Sequence, residues 1–361
     1  MEEYYMMWLS RLEGIGPRRV KALLEIFGSA EEIWHTSLDT LCKVPHLPEN
    51  VAHAVAYHRD KEQLDAWITE LEEKNIQFYS ICHPLYPSLL KEIYDPPAGI
   101  YIKGTLPDDN IDKISVVGAR RCSSYGSNVA YQITKDLGQT NVVVVSGMAR
   151  GIDTMAHKGI LDGGGQTIAV LGSGVDVCYP QENAELMERI AANGCILSEY
   201  PPGTPAVSRN FPFRNRIIAG LSKMVVVIEA GKRSGTLITA DLALEDGREV
   251  FVVPGNVTSA LSEGTNNLIK QGCPIITDVA DILVALGISY QEEAKEKFSQ
   301  KVAASLSEEE KAVYEKIGDV PITAEELVNQ SGFSIQEIQY ILSLLEIAGH
   351  IRKLPQSGYI R

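Results

Sequence analysis

Short apolar runs alternate with segments of helix length over most of the chain, and this alternation constrains the fold more than any other feature. The runs are rich in Val and Ile, and most end in a loop that contains glycine. They are KISVVGAR, NVVVVSGMARG, QTIAVLGSG, CILSEYPPG, KMVVVIEAGKRSG, EVFVVPGN and PIITDVADIL. Strands that are apolar on both faces and alternate with helices build a parallel sheet covered on both sides. The chain is therefore predicted to be α/β, with an extended Rossmann-like, doubly wound, mostly parallel sheet over residues 106–288.

A different pattern precedes the sheet, because residues 1–75 have helical periodicity and contain no convincing strand. The turn Gly14-Ile15-Gly16-Pro17, with a fainter copy in LCKVPHLPENVAHAV, predicts a helical domain of the helix-hairpin-helix or SAM-like type. Free N–H groups at the start of the second helix, together with Arg18, Arg19 and Lys21, would hold a phosphate. The degenerate second copy favours the alternative, which is a small packing or interaction domain.

The remaining segments complete the predicted domain organisation. The Pro- and Tyr-rich connector at residues 76–105 is expected to contribute the first short strand, so the sheet domain spans 76–288. Residues 289–303 are charged and weakly patterned, which predicts a linker, with an exposed helix as the alternative. Residues 304–361 show three helical segments followed by a short β-hairpin, which predicts a winged-helix domain.

The predicted winged helix carries little of the charge that binds a DNA duplex. It contains nine acidic and five basic residues, a net charge of −4, and its candidate recognition helix at 334–348 has no Lys or Arg. A helix that enters the major groove is normally positioned by cations. Arg352 and Lys353 in the wing remain able to contact phosphate, but a protein partner or an intramolecular contact is the better interpretation.

Composition narrows the expected location and chemistry. No run approaches the roughly 18 apolar residues of a membrane span. The N-terminal MEEYYMMWLS resembles no secretory signal, so a cytoplasmic location without membrane association is expected. The six cysteines are scattered and show no CxxC or Cys/His spacing, so no metal site is predicted. A net charge of −14 does not exclude nucleic acid, since binding responds to local potential.

Polar, glycine-rich loops follow the predicted strands, and in an open parallel sheet such loops share the carboxyl edge where ligands bind. Glycines let backbone N–H groups approach an anion, and helix N-termini add partial positive charge. The candidate phosphate-binding residues in these loops are Arg120, Arg121, Ser123, Gly147, Arg150, Lys232, Arg233, Ser234, Gly235 and Thr236. Neither the dinucleotide fingerprint nor the P-loop pattern is present, so no NAD, ATP or other cofactor is predicted.

One segment concentrates cations and aromatic rings. Residues 209–233 include six basic residues and one acid, a net charge of +5 in 25 residues, with Phe211 and Phe213 among the arginines and Asn215 as an amide. Aromatic faces stack on bases while arginines follow phosphates, which suits single strands because a duplex hides its base faces. The alternative is buried phenylalanines with solvated arginines. Pro212 argues against a regular helix, so a binding loop is predicted.

Five segments, in a shared order, resemble a known family. GARRCSSYG, SGMARGIDTMAHKGIL, FPFRNRIIAGLS, EAGKRSGTLITADLALEDGREVFVVPG and EGTNNLIKQG are similar to the DNA-processing protein A family (DprA, also called Smf) over about residues 80–285. The resemblance implies an extended Rossmann core that binds single-stranded DNA, forms homodimers and loads RecA recombinase onto that DNA. It also implies a role in natural transformation, in which single-strand-binding protein is displaced or overcome.

The resemblance also assigns residues to the predicted DNA site. Family contact positions fall on Arg120, on Gly203 in PPGTP, on Phe211, and on Arg214 and Arg216 in RNR, while a basic position of some members falls on Ser208 beside Arg209. The whole predicted single-stranded-DNA site is Arg120, Arg121, Ser123, Gly147, Arg150, Gly203, Arg209, Phe211, Arg214, Asn215, Arg216, Lys232, Ser234, Gly235 and Thr236. With ~4–6 phosphates neutralised, log K should fall with log salt at a slope of about −3 to −4. Arg214→Ala is expected to flatten that slope, and Phe211→Ala to weaken binding without changing it.

The rival interpretation is a small-nucleotide sensor or a nucleotide-processing enzyme on the same core. GKRSGTLITA faintly resembles the P-G-G-x-G-T-x-x-E loop of cytokinin-activating phosphoribohydrolases, but the glutamate falls on Thr239. Asp153 and His157 lie four positions apart, although such a pair is more often a cap and a satisfied histidine. The serines of the loops have no identified base. The prediction is a recombination mediator without catalytic residues.

Overall fold

A computed structural model describes residues 2–12, 14–288, 306–318, 321–347, 350–354 and 358–360. The chain divides into two compact units, residues 1–282 and residues 283–361. The predicted linker at 289–303 lies outside the described residues. Among the described residues, no helix combines the length and the apolar character needed to cross a membrane.

Six helices begin the first unit, which confirms the prediction of a helical N-terminal segment. They are α1 (Glu2–Arg11), α2 (Pro17–Phe27), α3 (Ala30–His35), α4 (Leu38–Leu41), α5 (Glu49–Tyr57) and α6 (Lys61–Glu73). Trp8 is buried at their centre, where its ring meets Trp34 edge-on with centroids 4.8 Å apart. Its indole N–H donates to the carbonyl of His58 (2.6 Å), so the buried polar atom is satisfied.

Eight strands form one sheet in the same unit. They are β1 (Ile76–Ser80), β2 (Gly99–Gly104), β3 (Asp112–Val117), β4 (Val142–Ser146), β5 (Thr167–Val170), β6 (Gly194–Ser198), β7 (Met224–Val227) and β8 (Glu249–Val252). Their order is β1-β2-β6-β5-β4-β3-β7-β8. Strands β3 to β8 pair in parallel, and β1 and β2 add an antiparallel edge. The predicted mostly parallel, Rossmann-like sheet is confirmed.

Helices follow most strands and help to cover the sheet. They are α7 (Ser88–Lys91), α8 (Ser124–Leu137), α9 (Ile152–Asp162), α10 (Ala184–Ala192), α11 (Asn210–Gly220), α12 (Gly235–Glu245) and α13 (Glu263–Lys270). Neighbours on β5 enter different apolar cores, since Ile168 and Val170 belong to one core and Ala169 to the other. A sheet buried on both faces explains why these strands are continuous apolar runs rather than alternating ones.

The N-terminal helices are fastened to the antiparallel edge of the sheet. The Glu3 carboxylate accepts hydrogen bonds from the backbone N–H (2.8 Å) and the hydroxyl (2.5 Å) of Ser80 at the end of β1. The guanidinium of Arg11 donates to the hydroxyl of Tyr101 in β2 (2.8 Å). These contacts, with the apolar core they accompany, make the helices and the sheet one compact unit.

The seventh apolar run, PIITDVADIL, does not form a strand, so that part of the prediction is wrong. Ile275 makes one isolated bridge to Val252, and helix α14 (Val279–Ala285) follows. The Asp281 carboxylate accepts a hydrogen bond from the backbone N–H of Thr277 (2.7 Å). The Asp278 carboxylate accepts from the N–H of Ala280 (2.8 Å), which is a group that the start of a helix leaves free. Local contacts of this kind favour a helix start over a strand in this run.

Within the described residues of the second unit, three helices and a hairpin follow residue 306, and the predicted winged-helix fold is confirmed. Its elements are α15 (Glu308–Tyr314), α16 (Ala324–Ser331), α17 (Ile335–Ile347), β9 (Arg352–Leu354) and β10 (Gly358–Ile360). Reciprocal capping boxes start two of the helices, Ser307 with Glu310 and Thr323 with Glu326. The two strands pair antiparallel.

Candidate nucleic-acid interface

The sheet has a topological switch point at the carboxyl end of its central strands. β4 pairs with β3 on one side and β7 pairs with β3 on the other, so the chain leaves the centre in opposite directions. Ligands of open α/β sheets bind in the crevice at such a point. A cavity of about 380 Å³ lies here, and its walls are Val117, Gly118, Arg120, Ala149, Asp153, Arg214, Asn215, Gly235, Thr236 and Thr239.

The segment predicted as a binding loop is helix α11, so that prediction is wrong. Pro212 occupies the third helical position, within the first turn, where a backbone N–H has no partner in the helix. The proline therefore costs the helix no hydrogen bond. The alternative with buried phenylalanines is wrong as well, since Phe213 is 64% exposed while Arg214 and Arg216 are buried.

Arg214 is directed into the protein rather than toward solvent. It is 3% exposed, and its guanidinium donates to the carbonyls of Gly147 (2.8 Å) and Val170. Those carbonyls follow the ends of β4 and β5, so the side chain ties two strands of the edge together. Burial lowers the pKa of Arg214 to about 10. Gly147 leaves the required space, because a Cβ there would collide with the guanidinium.

Arg216 is also committed to contacts within the protein. It donates to the carboxylate of Glu199 (2.5 Å) and lies 3.4 Å from that of Asp95. Both α11 arginines predicted to contact DNA therefore have internal partners.

Phe211 lies at the centre of an exposed cluster at the carboxyl edge. The guanidinium of Arg120 stands 5.2 Å from the centroid of its ring, and the ring of Tyr179 lies 5.5 Å away at a tilt of 34°. Gly172 allows this packing, because a Cβ there would meet the ring at 3.1 Å. Asn210 fixes the start of α11 by donating to the carbonyl of Gly172 (3.0 Å).

Several cations on this edge remain available. Five exposed cations of this edge form no ion pair and no side-chain hydrogen bond with any described residue. They are Arg120, Arg121, Arg209, Lys232 and Arg233. Arg150 differs, because it pairs with Glu182 (2.8 Å). Lys223, counted with this stretch in the sequence, lies at the opposite edge of the sheet beside Asp112. We call the five unpaired cations, with Phe211 and Tyr179, the carboxyl-edge patch.

Two family models together match most of this chain. The model described as DNA recombination-mediator protein A matches residues 77–287, and the model described as DprA winged helix domain matches residues 299–357. The chain belongs to the DprA/Smf family. It is 43% identical to DNA processing protein DprA of Streptococcus pneumoniae over 221 residues, which cover 61% of this chain and 78% of that protein. It is 36% identical to protein Smf of Escherichia coli over 309 residues, covering 83% and 81%.

Solved structures of DprA proteins share the fold. The X-ray structure of DprA from Streptococcus pneumoniae has a TM-score of 0.69 at 35% identity, covering 80% of this chain and 99% of that one. A DprA structure from Helicobacter pylori, described for a single-stranded-DNA binding mode, has a TM-score of 0.52 at 29% identity, covering 58% and 95%. Membership in a family of DNA recombination mediators is thereby established for this chain.

In this DprA/Smf protein, Ser123 forms a hydrogen bond with the carboxylate of Glu229, a residue that the sequence did not assign to the site. Its hydroxyl donates to Glu229 (2.5 Å) and accepts from the N–H of Gly126 (3.1 Å), which caps α8. Glu229 is buried and also accepts from the N–H of Ser123 (2.9 Å). The carboxylate thus occupies the place an anion would take at the start of α8. Its only signal in the sequence was a single acid among basic residues.

The start of α12, unlike the start of α8, forms part of the wall of the cavity at the switch point. Ser234 caps this helix by accepting from the N–H of Thr236 (3.2 Å), and Gly235 and Thr236 form part of the cavity wall. Asn215 reaches the same wall from α11. Gly203 lies apart on the β6 side, where its N–H donates to Asp176 (2.7 Å) in a backbone conformation with φ of +75° that favours glycine.

Asp153 and His157 have separate structural partners. Asp153 is buried, which raises its pKa, and its carboxylate accepts from the N–H of Ala149 (3.4 Å). His157 shares a hydrogen bond with the hydroxyl of Thr167 (2.8 Å), and burial lowers its pKa to about 3. The imidazole is therefore neutral at physiological pH, and both residues are buried on α9.

Proposed function

We propose that this DprA/Smf protein binds single-stranded DNA on the carboxyl-edge patch and loads RecA recombinase onto that DNA. One observation carries the binding part: on a protein whose net charge is −14, unpaired, exposed cations lie at the same sheet edge as an aromatic pair, and one of them, Arg120, stands over the ring of Phe211. A local patch of this kind attracts phosphate even when the whole molecule is acidic.

The aromatic pair favours a single strand over a duplex. Tyr179 is 44% exposed and stands beside Phe211, so a base released from stacking can pack against the pair. The bases of a duplex are already stacked on one another and present only their edges. Stacking is tolerant of sequence, because every base has a π-face, so binding without strong sequence preference is expected.

The predicted site residues divide into two roles. We assign direct contact to the carboxyl-edge patch, with Arg150 after release from Glu182 and with Asn215, Gly235 and Thr236 in the cavity wall. We assign an organising role to residues whose polar groups are already bonded inside the protein. These are Ser123, Gly147, Gly203, Arg214, Arg216 and Ser234.

Family membership supports the remaining parts of the proposal. The family model is that of a recombination mediator, and the Helicobacter pylori relative is described as binding single-stranded DNA. We accordingly infer that the protein forms a homodimer, handles DNA covered by single-strand-binding protein during natural transformation, and acts by binding without a cofactor or a catalytic step.

Fluorescence anisotropy of a labelled oligothymidine tests the binding step. We expect tight binding at low salt that weakens as salt rises and that resists an excess of unlabelled duplex. Absence of binding at low salt would overturn the proposal, and mononucleotides would then be titrated into the cavity at the switch point. Displacement by duplex as efficient as by oligothymidine would contradict the single-strand preference.

The loading step has a separate readout. RecA hydrolyses ATP when it forms a filament on DNA, and single-strand-binding protein delays that filament. We expect this protein to shorten the lag before ATP hydrolysis on coated single strands. An unchanged lag, with DNA binding intact, would remove RecA loading from the proposal and leave single-strand binding in place.

A further inference from the structure

A second and larger cavity lies outside the carboxyl-edge patch, where the N-terminal helices meet the sheet. Its volume is about 660 Å³. We call it the hairpin cavity, because the turn before α2 forms part of its wall. The charged and aromatic residues that line it are Arg11, Arg18, Arg19, Asp95, Glu199, Tyr200, Phe213 and Arg216.

The charges of the hairpin cavity do not cancel. Arg216 is bonded to the carboxylate of Glu199 and lies 3.4 Å from that of Asp95. Arg18 approaches Asp95 only to 3.8 Å and is largely exposed. Four guanidinium groups thus face two carboxylates, which leaves a net charge of +2 in a protein of −14. The cavity is suited to an anion with more than one charge.

An exposed aromatic ring stands at the same place. Phe213 is 64% exposed, and it follows Phe211 by two positions on α11. Its ring enters the wall of the hairpin cavity, whereas Phe211 packs with Arg120 and Tyr179 on the carboxyl-edge patch. A single helix therefore presents one phenyl ring to each of two cationic surfaces.

We propose that the hairpin cavity extends the single-stranded-DNA site. A strand held at Phe211 crosses α11, stacks a further base on Phe213, and places its phosphates near Arg18 and Arg19. This inference rests on the proposed function. Two features identify the occupant: the net positive charge favours a polyanion, and α11 contributes one phenyl ring to the cavity and one to the carboxyl-edge patch. Alternating aromatic rings and cations are the arrangement by which proteins follow single strands.

Oligothymidines of two lengths separate this inference from the proposed function. One of about 6 nucleotides fits on the carboxyl-edge patch alone, and one of about 20 nucleotides reaches both surfaces. For Arg18→Ala/Arg19→Ala we expect unchanged affinity for the short strand. We expect about tenfold weaker binding of the long strand, with a salt slope smaller by about 1.4, since each phosphate contact contributes about 0.7.

Phe213→Ala provides an independent variant. It should weaken binding of the long strand by about tenfold without changing the salt slope, because it removes a stacking surface and no charge. The matched control is Lys43→Ala/Lys61→Ala, which removes two exposed cations from the same helical segment outside the cavity. That control should bind both strands as the unaltered protein does.

The outcomes are distinct. If both cavity variants bind the long strand as tightly as the unaltered protein, the extension is overturned while the carboxyl-edge patch stands. If they weaken the short and long strands equally, the cavity is not an extension, and that result overturns it too. If the unaltered protein binds neither strand, the proposed function itself has failed. If an acidic peptide binds the protein, if the two cavity variants weaken that binding, and if the long oligothymidine does not displace the peptide, the cavity belongs to a protein partner and the extension is overturned.

Discussion

The arginines of α11 and the arginine of the loop after β3 have opposite environments. Arg214 is buried and donates to backbone carbonyls, whereas Arg120 is exposed and its guanidinium stands over the ring of Phe211. Of the six basic residues in 209–233, three lie exposed at the carboxyl edge, two are buried in α11 and one lies at the opposite edge. The number of basic residues in a segment therefore overestimates its capacity to bind DNA, because some of these residues stabilise the binding surface through contacts inside the protein.

Replacing Arg214 should give the largest effect, and the effect should be on stability. Arg214→Ala leaves two buried carbonyls without their donor and opens a void between β4 and β5. We expect the free energy of unfolding to fall by about 3 kcal/mol, since each orphaned buried group costs roughly 1–3 kcal/mol. Urea unfolding followed by tryptophan fluorescence measures this, because Trp8, Trp34 and Trp67 belong to the same compact unit.

If buried and exposed arginines have different roles, replacing an exposed one should leave the stability of the protein unchanged. Arg121→Ala removes the same side chain from the carboxyl-edge patch, and its unfolding midpoint should match that of the unaltered protein. If Arg214→Ala unfolds at the same urea concentration as Arg121→Ala, the internal role assigned to the α11 arginines is wrong.

His157 makes the free energy of unfolding depend on pH, because its imidazole is buried, unlike the exposed side chains of the carboxyl-edge patch. Its pKa in the folded protein is about 3, below the roughly 6.5 of an unfolded chain. Its stabilising contribution is complete above pH 6.5 and declines as the pH falls, because only the unfolded chain gains the proton. Between pH 7 and pH 5 this should cost about 2 kcal/mol. Urea unfolding of His157→Gln should show a correspondingly smaller loss over that interval.

Removing the central ring should affect binding rather than stability. Phe211→Ala takes away a stacking surface and leaves the cations in place, so affinity for oligothymidine should fall by about 1–2 kcal/mol with an unchanged salt slope. Anisotropy at several salt concentrations measures both quantities. Tyr125→Ala, which removes an exposed ring outside the patch, is the control. A steeper or flatter slope for Phe211→Ala would show that the ring acts through the neighbouring cations.

The sheet was predictable because its signal is repeated. Each of six apolar runs independently indicates a strand buried on both faces, and the loops that directly follow parallel strands meet at one edge. The same reasoning failed for PIITDVADIL, where the carboxylates of Asp278 and Asp281 accept hydrogen bonds from backbone N–H groups at the start of a helix. The prediction of a loop at Pro212 failed for a similar reason. The effect of a proline depends on its position within a helix, and no capping side chain marks the start of α11.

The contents of the site were predictable and the direction of its side chains was not. Sequence order places Arg120 and Lys232 at one edge, because each lies in a loop that directly follows a parallel strand. It cannot reveal that Gly147 creates room for the Arg214 guanidinium or that Glu229 reaches the start of α8, since both depend on contacts across 67 and 106 positions. Long-range contacts of that kind follow from packing.

The smallest effect we expect is also the sharpest test of the comparison. Arg120→Ala removes one unpaired cation from the carboxyl-edge patch, so the salt slope for oligothymidine should decrease by about 0.7, the value for one phosphate contact. Lys223→Ala removes an equal charge from the opposite edge, where the side chain is 51% exposed, and should leave the slope unchanged. Because both substitutions alter the net charge identically, a difference between them reports position alone. Equal slopes in the two variants would mean that DNA responds to the charge of the whole molecule, and the carboxyl-edge patch would lose its special role.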